Sequence, residues 1–348
     1  MIATIKAKCC ITLCVVMLAG MLLTGCSTTR FLKEDQSFYT GATIDITTTG
    51  AVSRKKNIKR RLEEYLTPKP NSTVLGGRPG VWFYYKAGTP KKEKGFRSFI
   101  KNKLGQEPVL LSDVKPQQVA NTMRGQLYNH GFFIASVKYT VETRRKKSHI
   151  TYHVHLTPPY RLRNINYPRV KDSTYARIIR TLYAESLLKK NQRYNLERLQ
   201  AEQARIEKVV ENYGFYYFDD RYLIFEADST VGDRKVDLDL KLEKGMPDKA
   251  KRIYKLGNVN LFPNYTLSND TIKQAADTVF SNGVRVIDKQ HAFRADILTE
   301  VVNLKQGNIY TRSAQELTLS HLMGLNNFKF VNIKFSDAHA DSAVLNAN

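Results

Sequence analysis

Four groups of residues have the types and spacing that chemistry requires. Cys26 closes the run Leu23-Thr24-Gly25-Cys26 and follows Cys9, Cys10 and Cys14, the only other cysteines. Lys6 and Lys8 make the start basic, and Cys9 to Leu23 then gives fifteen residues without a charge. A basic start, an apolar stretch too short to span a bilayer and small residues at the cut read as a secretory signal peptide over residues 1–25. His153-x-His155 lies on a predicted strand, where both rings face one way, as a metal pair would. It has no third ligand nearby and reads as cross-strand surface packing. Gly76-Gly77-Arg78-Pro79-Gly80 lacks the Lys-Ser/Thr ending and strand-to-helix setting of a phosphate loop, so it reads as a turn. Asp237 and Asp239 alternate on a strand and read as a solvated face rather than an acid/base pair. No catalytic constellation, metal site or cofactor site is expected.

Cys26 after Leu-x-Gly resembles the signal of bacterial lipoproteins. That resemblance implies that the Cys26 sulfur receives a diacylglycerol and that cleavage makes Cys26 the lipidated N-terminus. The alternative is an ordinary signal peptide with an incidental Cys. Cleavage leaves one thiol and no disulfide, so stability must come from apolar cores. The remaining chain, about 320 residues, suffices for two or three domains. The formal charge of +23 falls to +21 once Lys6 and Lys8 leave. Export argues against nucleic acid as the partner. A solvated basic surface, anionic lipid or an acidic partner remain.

The elements that would position these residues repeat three times. Tyr160-Arg161-Leu162-Arg163-Asn164-Ile165-Asn166 recurs as Tyr254-Lys255-Leu256-Gly257-Asn258-Val259-Asn260, and more loosely as Tyr39 through Ile44-Asp45-Ile46. Each alternates as a half-buried strand does. Helices are predicted to follow at Asn57 to Leu66, Ser173 to Leu188 and Asp270 to Phe280. A second helix is predicted to start at Ser112, Asn195 and Thr311, each behind an apolar staple: Leu111, Tyr194 and Tyr310. The middle one places Leu196, Leu199, Ile206, Val210 and Tyr213 on one face. These helices end at Gly131, Gly214 and Asn327, residue types that tolerate a left-handed backbone. Strands are predicted at Ile134 to Val141, Tyr222 to Glu226 and Phe328 to Phe335, with further strands at Ile150 to Leu156 and Val236 to Leu242. The unit is β-α-α-β-β, and the fold class is α+β as a tandem array.

Each unit resembles a POTRA domain, the periplasmic module of outer-membrane assembly proteins. Three such units behind a lipoprotein signal resemble the lipoprotein form of the translocation and assembly module, within the BamA/TamA-like superfamily. The expected layout is a tether over 26–37, unit 1 over 38–158 with an insertion at 67–111, unit 2 over 159–248 and unit 3 over 249–348. The third unit is expected to be incomplete, since its last strand only begins at Val344, and the family's C-terminal β-barrel is not among these residues. The insertion holds Trp82-Phe83-Tyr84-Tyr85 and a basic segment with Phe96, Phe99, Ile100 and Leu104 at helical spacing. It is expected to pack on the first sheet, with an interfacial helix as the alternative.

The resemblance implies a non-enzymatic role at the outer membrane. The units would sit in the periplasm, with membrane lipid bound through Cys26. Unfolded outer-membrane protein clients would add strands to exposed sheet edges, without cofactor or nucleic acid, beside an envelope-spanning partner of the TamB type. Two other readings are a self-contained periplasmic scaffold without a barrel and a lipid-anchored envelope enzyme.

Overall fold

A computed structural model describes residues 28–348 apart from 75–76, 90–94, 169–173, 265–277, 289, 291 and 340–341. Cys26 and the signal peptide lie outside the described residues. The chain divides into two compact units, one ending at Pro159 and one beginning at Tyr160.

In the first unit, β1 (Phe38–Thr48), β2 (Ser136–Arg144) and β3 (Lys147–Leu156) form a sheet of order β1-β3-β2. β1 runs parallel to β3, and β2 runs antiparallel to it. Alternate residues of β3 (Ile150, Tyr152, Val154 and Leu156) are buried. They pack against Leu62 of α1 (Lys55–Glu63) and against Met123 and Leu127 of the later helix Pro116–Asn129. Fully burying such a side chain stabilises by about 1.5–3 kcal/mol, so this layer holds the unit together. The insertion supplies α2 (Pro79–Ala87) and α3 (Phe96–Phe99), which continues as a wide turn over Ile100–Leu104. In the glycine-rich stretch Gly76 lies outside the described residues, Gly77 bridges Val74, and Pro79 and Gly80 already belong to α2.

The helix α4 (Pro116–Asn129) begins three residues later than a cap at Ser112 suggested. Ser112 lies in a 3-10 turn, Leu111–Asp113, and Lys115 holds the N-cap position. Pro116 decides this, because its fixed φ and missing N–H suit the first helical position.

The second unit contains two repeats of the pattern. In the first of them, β4 (Arg161–Asn166), β5 (Leu223–Asp228) and β6 (Lys235–Leu242) form a sheet of order β4-β6-β5. α5 (Thr174–Thr181) continues as a 3-10 turn over Leu182–Glu185. α6 (Leu196–Asn212) is capped by Asn195, whose side chain accepts from the N–H of Arg198. Its buried face is Leu199, Glu202, Ile206 and Val210, whereas Tyr213 is exposed.

In the other repeat, β7 (Lys255–Leu261) belongs to a five-stranded sheet of order β10-β11-β7-β9-β8. The hairpin β8 (Thr278–Ser281) and β9 (Val284–Ile287) corrects the helix predicted for Asp270 to Phe280, of which residues 270–277 lie outside the described ones. Asn282 and Gly283 both have positive φ and join the two strands. That is the preferred chemistry of a two-residue hairpin turn. α7 (Ala295–Glu300) and α8 (Arg312–Gly324) follow. Thr311 caps α8 by accepting from the Ala314 N–H.

Asn326, not Asn327, takes the left-handed conformation after α8. The strand predicted for Phe328 to Phe335 is also displaced, since β10 is only Phe335–Asp337. Phe328, Val331 and Ile333 instead turn apolar side chains onto the core. β11 (Val344–Ala347) lies between β7, to which it is parallel, and β10, to which it is antiparallel. Leu345 and Ala347 are buried in that core. The strand that begins at Val344 thus occupies the central place over four residues and pairs with both neighbours.

The recurring strands of the two later repeats share an irregularity just after the Tyr-x-Leu positions. The β4–β6 register shifts between Leu162 and Ile165, and there the N–H of Asn164 donates to Asp237 Oδ1 at 3.1 Å. In β7 the N–H of Asn258 donates to Asn346 Oδ1 at 2.8 Å, beside the equivalent shift. A side chain on the central strand thus satisfies the N–H that the bulge frees. Asp237 is therefore a structural plug. Asp239 accepts from Asn166 Nδ2 at 2.8 Å, so neither carboxylate is merely a solvated surface group.

Candidate functional site

The first strand of each repeat has the start of its outer edge covered. The segment ahead of the second helix lies along it. Tyr39 donates to the carbonyl of Val109, and Leu111 donates to that of Ser37, both at 2.9 Å. In the next repeat Leu162 donates to Gln192 at 2.9 Å and Asn191 to Leu162 at 2.7 Å. In the last, Leu256 donates to Asn308 at 2.8 Å and Gly307 to Leu256 at 2.7 Å. The hydrophobic staples before these helices are part of the device, since Tyr194 and Tyr310 are buried and their N–H groups bond Tyr160 and Tyr254.

The opposite edge is different. β2 and β5 are terminal strands, and among the described residues no backbone group pairs with their outer sides. β2 spans nine residues, and each is exposed or half-buried. That is an edge of about 30 Å. β5 spans six residues, and its first carbonyl, that of Leu223, accepts from Gln203 Nε2. In an antiparallel pair every second residue aims both backbone groups outward, so β2 offers about four such residues. Lys138, Glu142 and Arg144 on β2 and Glu226 and Asp228 on β5 are charges of the kind that keep an open edge from aggregating. The predicted third edge, Phe328 to Phe335, is reduced to the three residues of β10. The far edge of that sheet is β8, where Val279 and Phe280 are exposed.

His153 and His155 do share the outer face of the first sheet. His153 Nε2 lies 3.0 Å from Thr140 Oγ1, and its Nδ1 lies 3.9 Å from Asp45. His155 sits between Thr47 and Thr49, each at 3.1 Å. These are cross-strand contacts with hydroxyls. One acidic group was not visible in the spacing: Glu207, Asp219 and Asp220 bring carboxylate oxygens within 4.8 Å of one another. Arg221 and Arg312 pair with its members, Arg312 Nη1 being 3.6 Å from Glu207. Burial, aided by the neighbouring Asp220, raises the Glu207 carboxyl above its ordinary pKa. Among the described residues no helix is long and apolar enough to cross a membrane.

No family model and no curated protein matches this chain. Among solved structures, it is similar to BamA POTRA3-5 of Haemophilus influenzae at 13% identity and a TM-score of 0.43, covering 91% of this chain and 97% of that one. It is also similar to POTRA1-3 of the periplasmic domain of Omp85 from Anabaena, at 14% identity and 0.27, covering 90% and 95%. The N-terminal domain of Omp85 from Thermosynechococcus elongatus matches at 14% and 0.28, covering 90% and 96%.

Proposed function

We propose that this chain is the lipid-anchored periplasmic POTRA region of a factor that assembles or translocates outer-membrane proteins. Client or partner chains add a strand to its open edges, first of all to β2, and no reaction is catalysed. The observation that carries this reading is the asymmetry of the sheets. The terminal strand on one side of each three-stranded sheet is covered at its start by a built segment, while the nine-residue edge of β2 carries no such cover. The repeated β-α-α-β-β order and the Leu23-Thr24-Gly25-Cys26 signal support it. Backbone pairing is largely indifferent to side chains, which suits many unfolded clients. Each added hydrogen bond contributes about 0.5–1.5 kcal/mol net, so a few of them give weak, reversible capture.

The test is hydrogen exchange of the chain with a ten-residue peptide that alternates apolar and polar residues. Outward amides of β2 should gain protection, and those of Tyr39 and Leu162, already bonded to Val109 and Gln192, should not. A peptide N-methylated at alternate residues, on the side that faces β2, should give no protection. Equal protection by both peptides, or protection elsewhere only, would refute strand addition. The anchor is tested by fatty-acid labelling, which Cys26→Ala should abolish.

A further inference from the structure

The insertion in the first unit presents a surface that strand addition does not use. Phe96 is 78% exposed, Phe99 56% and Leu104 49%. The expectation that this segment packs on the sheet holds for Val81 of α2, which is buried with Leu32 and Phe38, but not for these three side chains. Their exposure does not come from a detached helix. The N–H of Gln106 donates to the carbonyl of Gly80 at 2.9 Å, Asn102 Nδ2 donates to the buried Ser98 Oγ at 3.2 Å, and the Lys101 ammonium sits 4.6 Å from the centre of the Tyr84 ring. The segment is docked on α2 by one side while three large apolar side chains face water. The same nine residues, Phe96 to Leu104, contain Arg97, Lys101 and Lys103 and no acidic residue.

A second observation places the start of the described chain on the same helix. Thr28–Phe31 forms a 3-10 turn, and the Phe31 ring stacks on Tyr85 of α2 at 4.9 Å. Thr28 is itself buried. One residue separates Thr28 from Cys26, and two steps along the chain reach at most about 7 Å. An acyl group on Cys26 therefore brings a bilayer surface to the edge of the insertion.

We propose that Phe96, Phe99 and Leu104, with Arg97 and Lys103 beside them, dock on the headgroup region of an anionic phospholipid bilayer next to the Cys26 anchor. The proposal rests on the lipid-anchor reading of Cys26. Apolar side chains among cations, without acidic residues, match the chemistry of that boundary, where area and charge both add to binding. The acyl chains supply most of the affinity. The patch supplies orientation, because a second contact stops the unit from swivelling about its tether.

The probe is vesicles of phosphatidylethanolamine and phosphatidylglycerol, mixed with the chain from residue 26 onward carrying Cys26→Ser. Without a lipid of its own, this chain reports only the surface. It should sediment with these vesicles, less with pure phosphatidylcholine and less in high salt. Trp82, the single tryptophan, lies on α2 and should be quenched by brominated lipid. Phe96→Ser/Phe99→Ser/Leu104→Ser and, separately, Arg97→Glu/Lys103→Glu should each weaken binding about tenfold or more. Both sets replace exposed side chains, and unchanged circular-dichroism melts will show that the fold is kept. Vesicle binding that neither set lowers, or no binding by the parent, overturns the proposal. Fatty-acid labelling of Cys26 separates the two readings. Label on Cys26 without patch-dependent binding overturns the surface alone. Patch-dependent binding without label upholds the surface and overturns the anchor.

Discussion

Glu202 occupies a position where a helix would ordinarily place an apolar side chain. It is fully buried between Leu199 and Ile206, in the gap left by the apolar face of α6. Arg205 grips it with two bonds, Nη2 to Oε1 at 2.8 Å and Nε to Oε2 at 3.0 Å. The N–H of Leu187 and the hydroxyl of Tyr167 donate to it at 2.9 Å each. Burial pushes this carboxyl up, but its donors together outweigh burial and hold it below its ordinary pKa. The network ties the end of the first helix of the repeat to the second. Removing one partner of such a pair costs about 3–5 kcal/mol. Glu202→Ala should fall at the low end, since the Arg205 side chain keeps 18% exposure, and Glu202→Gln should cost less. Urea denaturation reads both, and a loss under about 1 kcal/mol for the alanine variant would remove Glu202 from this role.

Asp237 gives a pH signature at the same scale. The Arg163 guanidinium, which reaches it at 2.5 and 2.8 Å, holds its carboxyl down at about 2, against the opposing effect of burial and with help from Asn164. A folded pKa below the unfolded value means stability that is present above the ordinary aspartate pKa of 3.8 and lost as pH falls through about 2. The difference in melting temperature between the parent and Asp237→Asn should be full at pH 6 and shrink between pH 4 and pH 2. A difference independent of pH would show that the amide replaces the carboxylate as a plug without loss of charge interaction.

Among the elements, helix ends are the most exacting. Gly131 and Gly214 end α4 and α6 with φ of 84° and 98°. A side chain there is strained, and Gly131→Ala should cost about 1 kcal/mol. Gly214 carries a second constraint. A Cβ on it would lie 2.7 Å from Cγ2 of both Ile253 and Ile309, because the end of α6 meets the start of the next repeat. Overpacking adds about 1–3 kcal/mol to the conformational cost, so Gly214→Ala should be clearly the worse of the two. Equal losses in paired thermal melts would show that Ile253 and Ile309 yield freely.

For the larger unit as a whole, the two repeats share one packed junction. The Tyr216 ring lies 4.9 Å from Tyr310 and 5.0 Å from Phe335, and Tyr217 lies 5.2 Å from Tyr254. Arg312 pairs with Glu211 at 2.6 Å, and the N–H of Ser313 donates to Asn212 Oδ1 at 2.8 Å. β11 underlies this junction, because it joins β7 to β10 and β10 carries Phe335. Deleting Val344–Asn348 should leave β7 and β10 without the strand that joins them and strip exchange protection from the last repeat. It should also lower protection at the C-terminal end of α6, through the lost Phe335–Tyr216 contact. Protection confined to its original pattern after the deletion would mean that β11 is dispensable.

The local code was legible without coordinates. Period-two strands, apolar stripes, the caps at Asn195 and Thr311 and the left-handed glycines at 131 and 214 all depend on residues within a few positions of one another. They suffice for the β-α-α-β-β order and the α+β class. Asn282-Gly283 was legible too as a hairpin turn, but the helix predicted over Asp270 to Phe280 displaced it. Pairing across the chain was not legible. That Val344–Ala347 becomes a central strand depends on Lys255–Leu261, more than eighty residues away. Asp237 acquires its role from a bulge 73 residues earlier, and Glu202 from an arginine on its own helix and a tyrosine on another segment. Which edge stays open likewise depends on where the segments before α4 and α6 come to rest. Each of these is a contact between distant segments, and its free energy is realised only when the core has brought them together.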